Sequence, residues 1–331
     1  MNLIEISEKF PDEKDCIEYF EEIRWGDDPE CAYCESTNIS GKTSDYRYKC
    51  YDCEKTFSVT VNTPLHDTRL PLKKWLFAFS VITDAKKGLS AKQLHRNISV
   101  SYPTAFSMYH RIRGLMAMET NKPDQLDGIV EIDETYIGGK PRKGAPKGKH
   151  NYLKQQERPE MDKKIKELKK KGVTFKRGKG NPAKIAINPK RGRGTDNIPV
   201  VGIVERNGDV VAEVMKHVTH QNLKEMVKYY VEENKATLVS DQAVEYKSME
   251  RIIDHISVNH KNFYSYKGVN TNSIESFWAI IKRGIMGQYH HVSAQHLPDY
   301  IAEFVFKYNN RKEDTMFETL VRNAMGKNET N

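Results

Sequence analysis

Apolar and polar residues change rhythm several times along this chain, and each rhythm predicts a different element. Phe10, Ile17, Phe20 and Ile23 mark a short amphipathic segment within residues 1–25. Leu72, Trp75, Leu76, Phe79 and Ile82 recur at helical spacing. Gly88 ends that region, and Ser90-Ala91-Lys92-Gln93 has the form of a capping box opening a short helix through Arg96. Asn97 to Val100 reads as a turn. Ser101 caps the next helix, whose first turn tolerates Pro103. Residues 70–119 therefore predict a helix-turn-helix. Its second helix would offer Tyr102, Thr104, Ser107, Met108 and Arg111 among its exposed positions, to the major groove if the unit binds DNA. An ordinary helical connector would give the same pattern.

Further along, the period shortens to two. Leu126 to Ile137 reads as a strand with Val130 and Ile132 on one face and Glu131 and Asp133 on the other. Residues 199–204 and 209–214 read as a hairpin turning at Asn207-Gly208. Gln221 to Asn234 reads as a helix with Leu223, Met226, Val227, Tyr230 and Val231 on its apolar side. Thr237 to Ser240 is a short buried strand ending on Asp241. Ile256 to His260 is a further strand, and Ile274 to Met286 a late helix. Three strands, a helix, two strands and a helix suit an α/β ribonuclease H-like fold. In that fold carboxylates from the first strand, the end of the fourth and the late helix converge.

Composition sharpens this picture where charge is unevenly placed. The chain has 331 residues, 38% hydrophobic and 30% charged, with a net charge of +8. Residues 140–195 alone hold 20 Lys and Arg against 4 Asp and Glu, a net of +16, leaving −8 for the remainder. Interleaved with Gly and Pro, this stretch suits a flexible arm along phosphates, or simply a solvated linker. The N-terminus lacks a basic start and an apolar core, and no run is long enough to span a membrane, so a cytoplasmic protein is expected, nucleoid-associated if bacterial. Cys31 and Cys34 are separated by two residues, as are Cys50 and Cys53, with fifteen residues between the pairs. That spacing predicts a four-thiolate Zn²⁺ site, whose metal would supply much of the folding energy of so small a unit. Cys16 stands apart as a structural thiol.

A carboxylate inside an apolar strand is costly unless paired or coordinated to a cation, which makes Asp133 a metal-ligand candidate. Asp241 ends a buried strand, and Glu275 opens the late helix with Lys282 two turns further along the same face. Asn272 is near enough to act as a neutral ligand, and Asn272 with Glu275 can equally be read as a capping pair. Three such carboxylates suit two Mg²⁺ ions, which need oxygen ligands and catalyse phosphodiester displacement without a protein nucleophile. The chain has no serine-nucleophile elbow, no phosphate-binding Gly-Lys-Ser/Thr loop and no His-Glu-x-x-His.

Over roughly residues 25–312 the chain resembles the DDE-type insertion-sequence transposases that join an N-terminal zinc ribbon to an ISXO2-like, ribonuclease H-like catalytic domain. The likeness rests on the cysteine pairs, on residues 57–60 and 66–75, on Ile132-Asp133-Glu134-Thr135-Tyr136-Ile137-Gly138-Gly139 and on Ser240-Asp241. Its most specific parts are Asn272-Ser273-Ile274-Glu275-Ser276-Phe277-Trp278, Lys282-Arg283-Gly284 and Tyr289-His290-His291-Val292-Ser293, with residues 306–311 closing the match. The resemblance implies recognition of element ends, strand cleavage and strand transfer on double-stranded DNA, by a homo-oligomer using Mg²⁺ or Mn²⁺. It maps Asp133 and Asp241 onto the first two catalytic carboxylates and leaves the third to Glu275 or Asn272, with Lys282 and Arg283 toward the DNA. The implied organisation is a helical segment at 1–25, a ribbon at 26–62, the helix-turn-helix at 70–119, a catalytic domain at 126–312 with its basic insert at 140–195, and a tail from 313 to 331. A regulator derived from such an enzyme, or a nuclease of the same fold, are the competing classes.

One prediction follows from the charge map. Deleting residues 145–190 flattens the dependence of DNA binding on salt, because fewer counterions are released. An unchanged slope would make the insert a bystander.

Overall fold

The computed structural model describes residues 1–120, 125–138, 197–241, 244–258, 270–312 and 314–326. The basic insert at 140–195 lies outside them.

The N-terminal segment folds as two helices, α1 (Leu3–Lys9) and α2 (Glu13–Trp25). Asn2 opens α1 with a reciprocal cap: its side chain accepts the amides of Ile4 and Glu5, and Glu5 accepts the amide of Asn2. After the cysteine region come α3 (Leu72–Asp84), α4 (Ala91–Ile98) and α5 (Tyr102–Thr120). Ser90 accepts the Gln93 amide and Ser101 the Thr104 amide, as the sequence pattern requires. The turn between α4 and α5 is made by Ser99 in the left-handed region (φ 52°). Phe20, Leu76, Phe79, Leu94 and Ile112 share one core with Phe317, Leu320 and Val321. The last three lie on the final helix, Met316–Met325, so the stretch expected as a tail contributes a packed helix to the N-terminal body. Met108, expected among the exposed positions of α5, is buried in the same core.

Between α2 and α3 sits a small two-stranded sheet, β1 (Tyr48–Lys49) and β2 (Thr56–Phe57). Tyr48 stacks on Phe57 at 5.5 Å, and Trp25 meets both rings edge-on.

The α/β body is built on β3 (Leu126–Ile137), β4 (Ile198–Glu205), β5 (Val210–Val214), β6 (Val231–Asp241) and β7 (Asp254–Val258). The sheet order is β5-β4-β3-β6-β7, with β3, β4 and β5 antiparallel and β6 and β7 parallel to β3. This is the ribonuclease H-like arrangement. The hairpin turns at Asn207 (φ 63°) and Gly208. One face carries α6 (His220–Tyr230) and a 3-10 helix (Val244–Arg251), packed on Val130, Ile132, Val201, Ile203 and Leu238. The other face carries α7 (Asn272–Gly284), extended by a π turn (Ile285–Tyr289), and α8 (Leu297–Asn309), packed on Val200, Val204 and Val210. The final helix is α9.

Several boundaries differ from the periodicity. The strand expected at Thr237 begins at Val231, and the one expected from Ile256 to His260 spans Asp254–Val258, with Asn259 and His260 outside the described residues. The helix expected to run through Asn234 ends at Tyr230, because β-branched Val231 goes extended and pairs with Leu126. The late helix begins at Asn272 rather than Ile274, and its α-helical part ends at Gly284.

The helical and α/β bodies meet around one buried carboxylate. Glu303 of α8 is fully buried. It receives Arg113 of α5 at 2.9 Å, Lys307 at 2.7 Å, and the hydroxyls of Tyr109 at 2.6 Å and Tyr289 at 2.9 Å. The Arg113 guanidinium is sandwiched between the rings of Tyr109 and Tyr300, 3.7 Å from each centroid. Gly88 (φ 75°) touches the cluster, and a Cβ there would lie 1.8 Å from the Tyr289 hydroxyl. Burial alone would raise the Glu303 pKa, but Lys307 and Arg113 outweigh it and hold the group at about 2.

Removing that carboxylate strands two buried cations. Glu303→Gln should lower the unfolding free energy by roughly 3–5 kcal/mol at neutral pH, read from denaturant midpoints. Because the folded pKa is depressed, the wild-type advantage is complete above the ordinary carboxylate range and shrinks as pH falls toward about 2. A pH-independent difference would refute the charge argument.

Candidate active site

The site is built at the C-terminal ends of β3 and β6. These strands run parallel with Glu131 opposite Val239. Continuing that register by two residues sets Asp133 level with Asp241, on the sheet face covered by α7. On the other side Asp133 stands directly opposite Gly202 of β4. The strand alternation expected from sequence holds: Val130 and Ile132 enter the opposite core, and Glu134 is bonded there by the Tyr246 hydroxyl at 2.6 Å.

Glu131 and Asp133 share a face but not an environment. Glu131 is fully buried and fully answered. It accepts Arg206 Nε at 2.8 Å, the Ser273 amide at 2.8 Å, the Ile274 amide at 3.1 Å and the Ser273 hydroxyl at 3.2 Å. A strand carboxylate thus caps the N-terminus of α7, where unpaired amides and the helix dipole favour negative charge. Asp133 accepts the Trp278 indole N–H at 3.1 Å and has Glu134 and Asp241 as its charged neighbours. Burial, then the charge of Glu134 and then that of Asp241, push its pKa up to about 7. Carboxylates gathered at neighbouring strand ends are the donor set that an oxygen-ligated divalent ion would answer.

Close approach of α7 makes this contact possible. A Cβ on Gly202 would come within 2.7 Å of the Trp278 ring and 3.0 Å of Ile274. The bare strand position lets the indole lie flat enough on β4 to reach Asp133.

Glu275 sits in the first turn of α7, exposed, and accepts the Thr271 hydroxyl at 3.1 Å. It follows the Thr271 cap by four positions, one too many for a capping box, and Thr271 makes no side-chain cap bond. Asn272 is exposed as well, and its own amide is held by the Asn270 side chain. The cap expected from Asn272 is therefore supplied by Glu131. Asp133, Asp241 and Glu275 do not gather as one group within 4.8 Å. Two ions ~3.5–4 Å apart need no such closure, since ligands on their far sides stand well beyond that span. Lys282 is exposed two turns below Glu275, while Arg283 donates back to the Ala279 carbonyl.

On α5, Tyr102, Ser107 and Arg111 are exposed. Thr104 is half-buried and engaged with Ser101 at 2.7 Å, and Arg111 reaches the His66 carbonyl at 3.3 Å. Cys31, Cys34, Cys50 and Cys53 bring their sulfurs within 4.8 Å of one another, with 3.6 Å between Cys31 and Cys53 and between Cys34 and Cys50. Tetrahedral Zn–S bonds of ~2.3 Å require sulfurs ~3.8 Å apart, so the cluster fits zinc. Without a metal the thiols share their protons unequally: backbone amides of Cys53 and then Asp52 draw Cys50 down, while Cys34 and Cys53 are pushed up, so the sulfur geometry is what argues for zinc.

Sequence reasoning missed Glu131 as the helix cap, Trp278 as the partner of Asp133, and Gly202 as the point of approach. The signals were present: Glu131 is as costly in an apolar strand as Asp133, and a glycine within Val200-Val201-Gly202-Ile203-Val204 marks close contact.

A ribonuclease H-like sheet with acidic strand ends, preceded by a four-cysteine ribbon, defines the class of this protein. Residues 125–309 match a family described as the ISXO2-like transposase domain, and residues 11–56 match a transposase zinc-ribbon domain. The chain belongs to the ISXO2-like transposase domain family. An uncharacterized protein in transposable element ISH50 of Halobacterium salinarum is 32% identical over 132 residues, 39% of this chain and 43% of that relative. The match thus spans less than half of the relative's length. Among solved structures, the Mos1 strand transfer complex aligns over 73% of this chain and 74% of its own at 10% identity and a TM-score of 0.29. A pre-cleavage Mos1 transpososome aligns over 74% and 76% at 10% identity and 0.26. No helix of the described residues is long and apolar enough to cross a membrane.

The raised Asp133 pKa gives a direct test. In chelated protein, ionised Asp133 opposes folding, so its stability cost appears as pH rises from the ordinary carboxylate range through about 7. Asp133→Asn should therefore stabilise the metal-free chain above pH ~7 by roughly 2–4 kcal/mol and change little at low pH. Equal stability of both proteins across that range would refute the reading.

Proposed function

We propose that this chain is a DNA transposase that cleaves element ends and joins them to target DNA, with Asp133, Asp241 and Glu275 as its metal-binding carboxylates. The observation that carries the reading is Asp133, half-buried on the strand face beneath α7 and pushed to about 7 by burial, Glu134 and Asp241. Divalent ions held there, Mg²⁺ or Mn²⁺, would supply an activated oxygen nucleophile and stabilise the leaving oxygen of a phosphodiester. The Trp278 indole fixes the carboxylate of Asp133, and Glu131 fixes the helix that carries both Trp278 and Glu275. Lys282, exposed on that helix, would hold a DNA phosphate. The ribbon and the exposed side of α5, with Tyr102, Ser107 and Arg111, would select the DNA, and Thr104 contributes through the α5 cap. The chain is expected to act as a homo-oligomer on double-stranded DNA.

Purified protein, Mg²⁺ and labelled DNA bearing a candidate element end separate the alternatives. Joined products are expected. Cleavage without joining would indicate a nuclease, and a mobility shift without cutting a regulator. Folded Asp133→Asn and Asp241→Asn should bind DNA yet lose cleavage, and wild-type rates in either would refute the assignment. Glu275→Gln should be folded and nearly inactive, whereas Asn272→Ser should retain substantial activity. The reverse pattern would move the third position to Asn272.

A further inference from the structure

We propose that His110, His296 and Asp299 form a second metal site, for a zinc-class divalent cation, that clamps α5 to α8. His110 lies on α5, within the helix-turn-helix, while His296 caps α8 and Asp299 lies in its first turn. Their potential ligand atoms all fall within 4.8 Å of one another, one of only two such groups among the described residues, the other being the ribbon cysteines.

The spacing is that of ligands around an ion rather than of groups bonded to each other. His110 Nδ1 is 3.7 Å and His296 Nδ1 3.8 Å from Asp299 Oδ2. Both exceed hydrogen-bond length. Zinc bonds of ~2.0–2.1 Å in a tetrahedron put neighbouring ligand atoms ~3.4 Å apart, a few tenths of an ångström from what is found. The two imidazoles are tilted at 51° with their centroids 4.5 Å apart. His110 Nε2 is buried with no hydrogen-bond partner; coordination through Nδ1, the nitrogen nearest Asp299, would leave it so, whereas a ring flip on coordination would bring Nε2 to the ion.

Simpler roles explain the cluster less well. Asp299 occupies a position from which a carboxylate often caps a helix, but α8 has no side-chain cap bond. Both imidazoles stand near the outer limit of an ion pair with Asp299, so pairing alone holds the carboxylate at long range. Two imidazoles and one carboxylate are borderline N/O ligands that suit zinc and leave a position for water. His296 and Asp299 are about two-fifths exposed, which gives an ion access from solvent. Arg113, one turn along α5, is neutralised by Glu303. His296, Asp299 and Glu303 recur on one side of α8 facing His110 and Arg113, so the site would extend the buried charge cluster to the edge of the same interface.

The test is calorimetric titration of full-length protein, metal-depleted and then resupplied with Zn²⁺ in excess Mg²⁺, so that oxygen-only sites are already filled. Wild type should bind about two equivalents, one at the ribbon and one here. His296→Ala and Asp299→Asn should each bind about one, with circular dichroism unchanged. Co²⁺ substitution distinguishes which remains: sulfur charge-transfer bands should persist in these variants and be lost in Cys50→Ser. In ribbon-loaded protein, further Zn²⁺ should raise the thermal midpoint of wild type but not of the variants. Wild type binding only one equivalent would overturn the proposal, as would a second equivalent that survives in folded Asp299→Asn and His296→Ala. Loss of the second equivalent in Asp133→Asn instead would assign it to the catalytic carboxylates and overturn it equally.

Discussion

A buried carboxylate on a central strand must be answered, and the way Glu131 is answered sets the geometry of the α/β body. Its charge is met by Arg206 from the β4–β5 turn and by the first free amides of α7. Arg206 is itself held by the Asn270 carbonyl, so strand, turn and helix start are tied at one point. A helix fixed at its N-terminus by a charge has little freedom to slide, because any shift leaves that charge unpaired in a dry environment. Everything α7 presents to the sheet inherits this register: Ile274 and Trp278 against Gly202, the indole on Asp133, and Glu275 at the rim.

Two residues along the same strand, Asp133 meets the opposite condition. It receives the Trp278 indole N–H and the Glu134 amide, which do not outweigh burial and two acidic neighbours, so the strand places a carboxylate met by a cation beside one held in a raised state. The first holds structure together, and the second keeps electrostatic free energy available to whatever cation binds. A second buried carboxylate, Glu303, repeats the structural solution at the other end of the helix layer, where two cations and two tyrosine hydroxyls lock α5 onto α8. The helix proposed to contact DNA is thereby packed, through this buried charge cluster, against a helix of the layer that covers the acidic site.

Much of this was legible in the sequence because it depends on local rules. The cysteine spacing, the Ser90 and Ser101 caps, the Asn207-Gly208 turn and the alternation around Asp133 each follow from residues close together in the chain. The less legible features depend on distant partners. Glu131 and Asp133 look alike in a strand pattern, and only the arrival of Ser273 and Ile274 distinguishes them. Glu303 reads as an ordinary helix acid until Arg113, 190 residues earlier, is brought against it. The helix extended to Asn234 failed for a related reason: Val231 fits the helical period, but pairing with Leu126 wins. The final helix was passed over as a tail, although Phe317, Leu320, Val321 and Ala324 have helical spacing, because its core belongs to the other end of the chain.

The charge distribution places a further condition on the proposed chemistry. Outside residues 140–195 the chain is net −8, and its candidate site concentrates acid at Asp133, Glu134 and Asp241. A DNA phosphate approaching that rim is repelled by the same carboxylates that would hold the metal. Two sources of positive charge can offset this: bound divalent ions, and cationic side chains such as Lys282 or those of the basic segment. They act over different ranges. Exposed lysines and arginines are screened within ~10 Å at ordinary salt, so they govern encounter and orientation. An ion between half-buried carboxylates would act at contact, where screening is weak, and would govern the reacting oxygen. On this reading salt should chiefly affect how much DNA is captured, while substitution of Asp133 should chiefly affect what happens to DNA already bound. The two effects would be separable because exposed Lys282 and half-buried Asp133 stand in environments of different polarity.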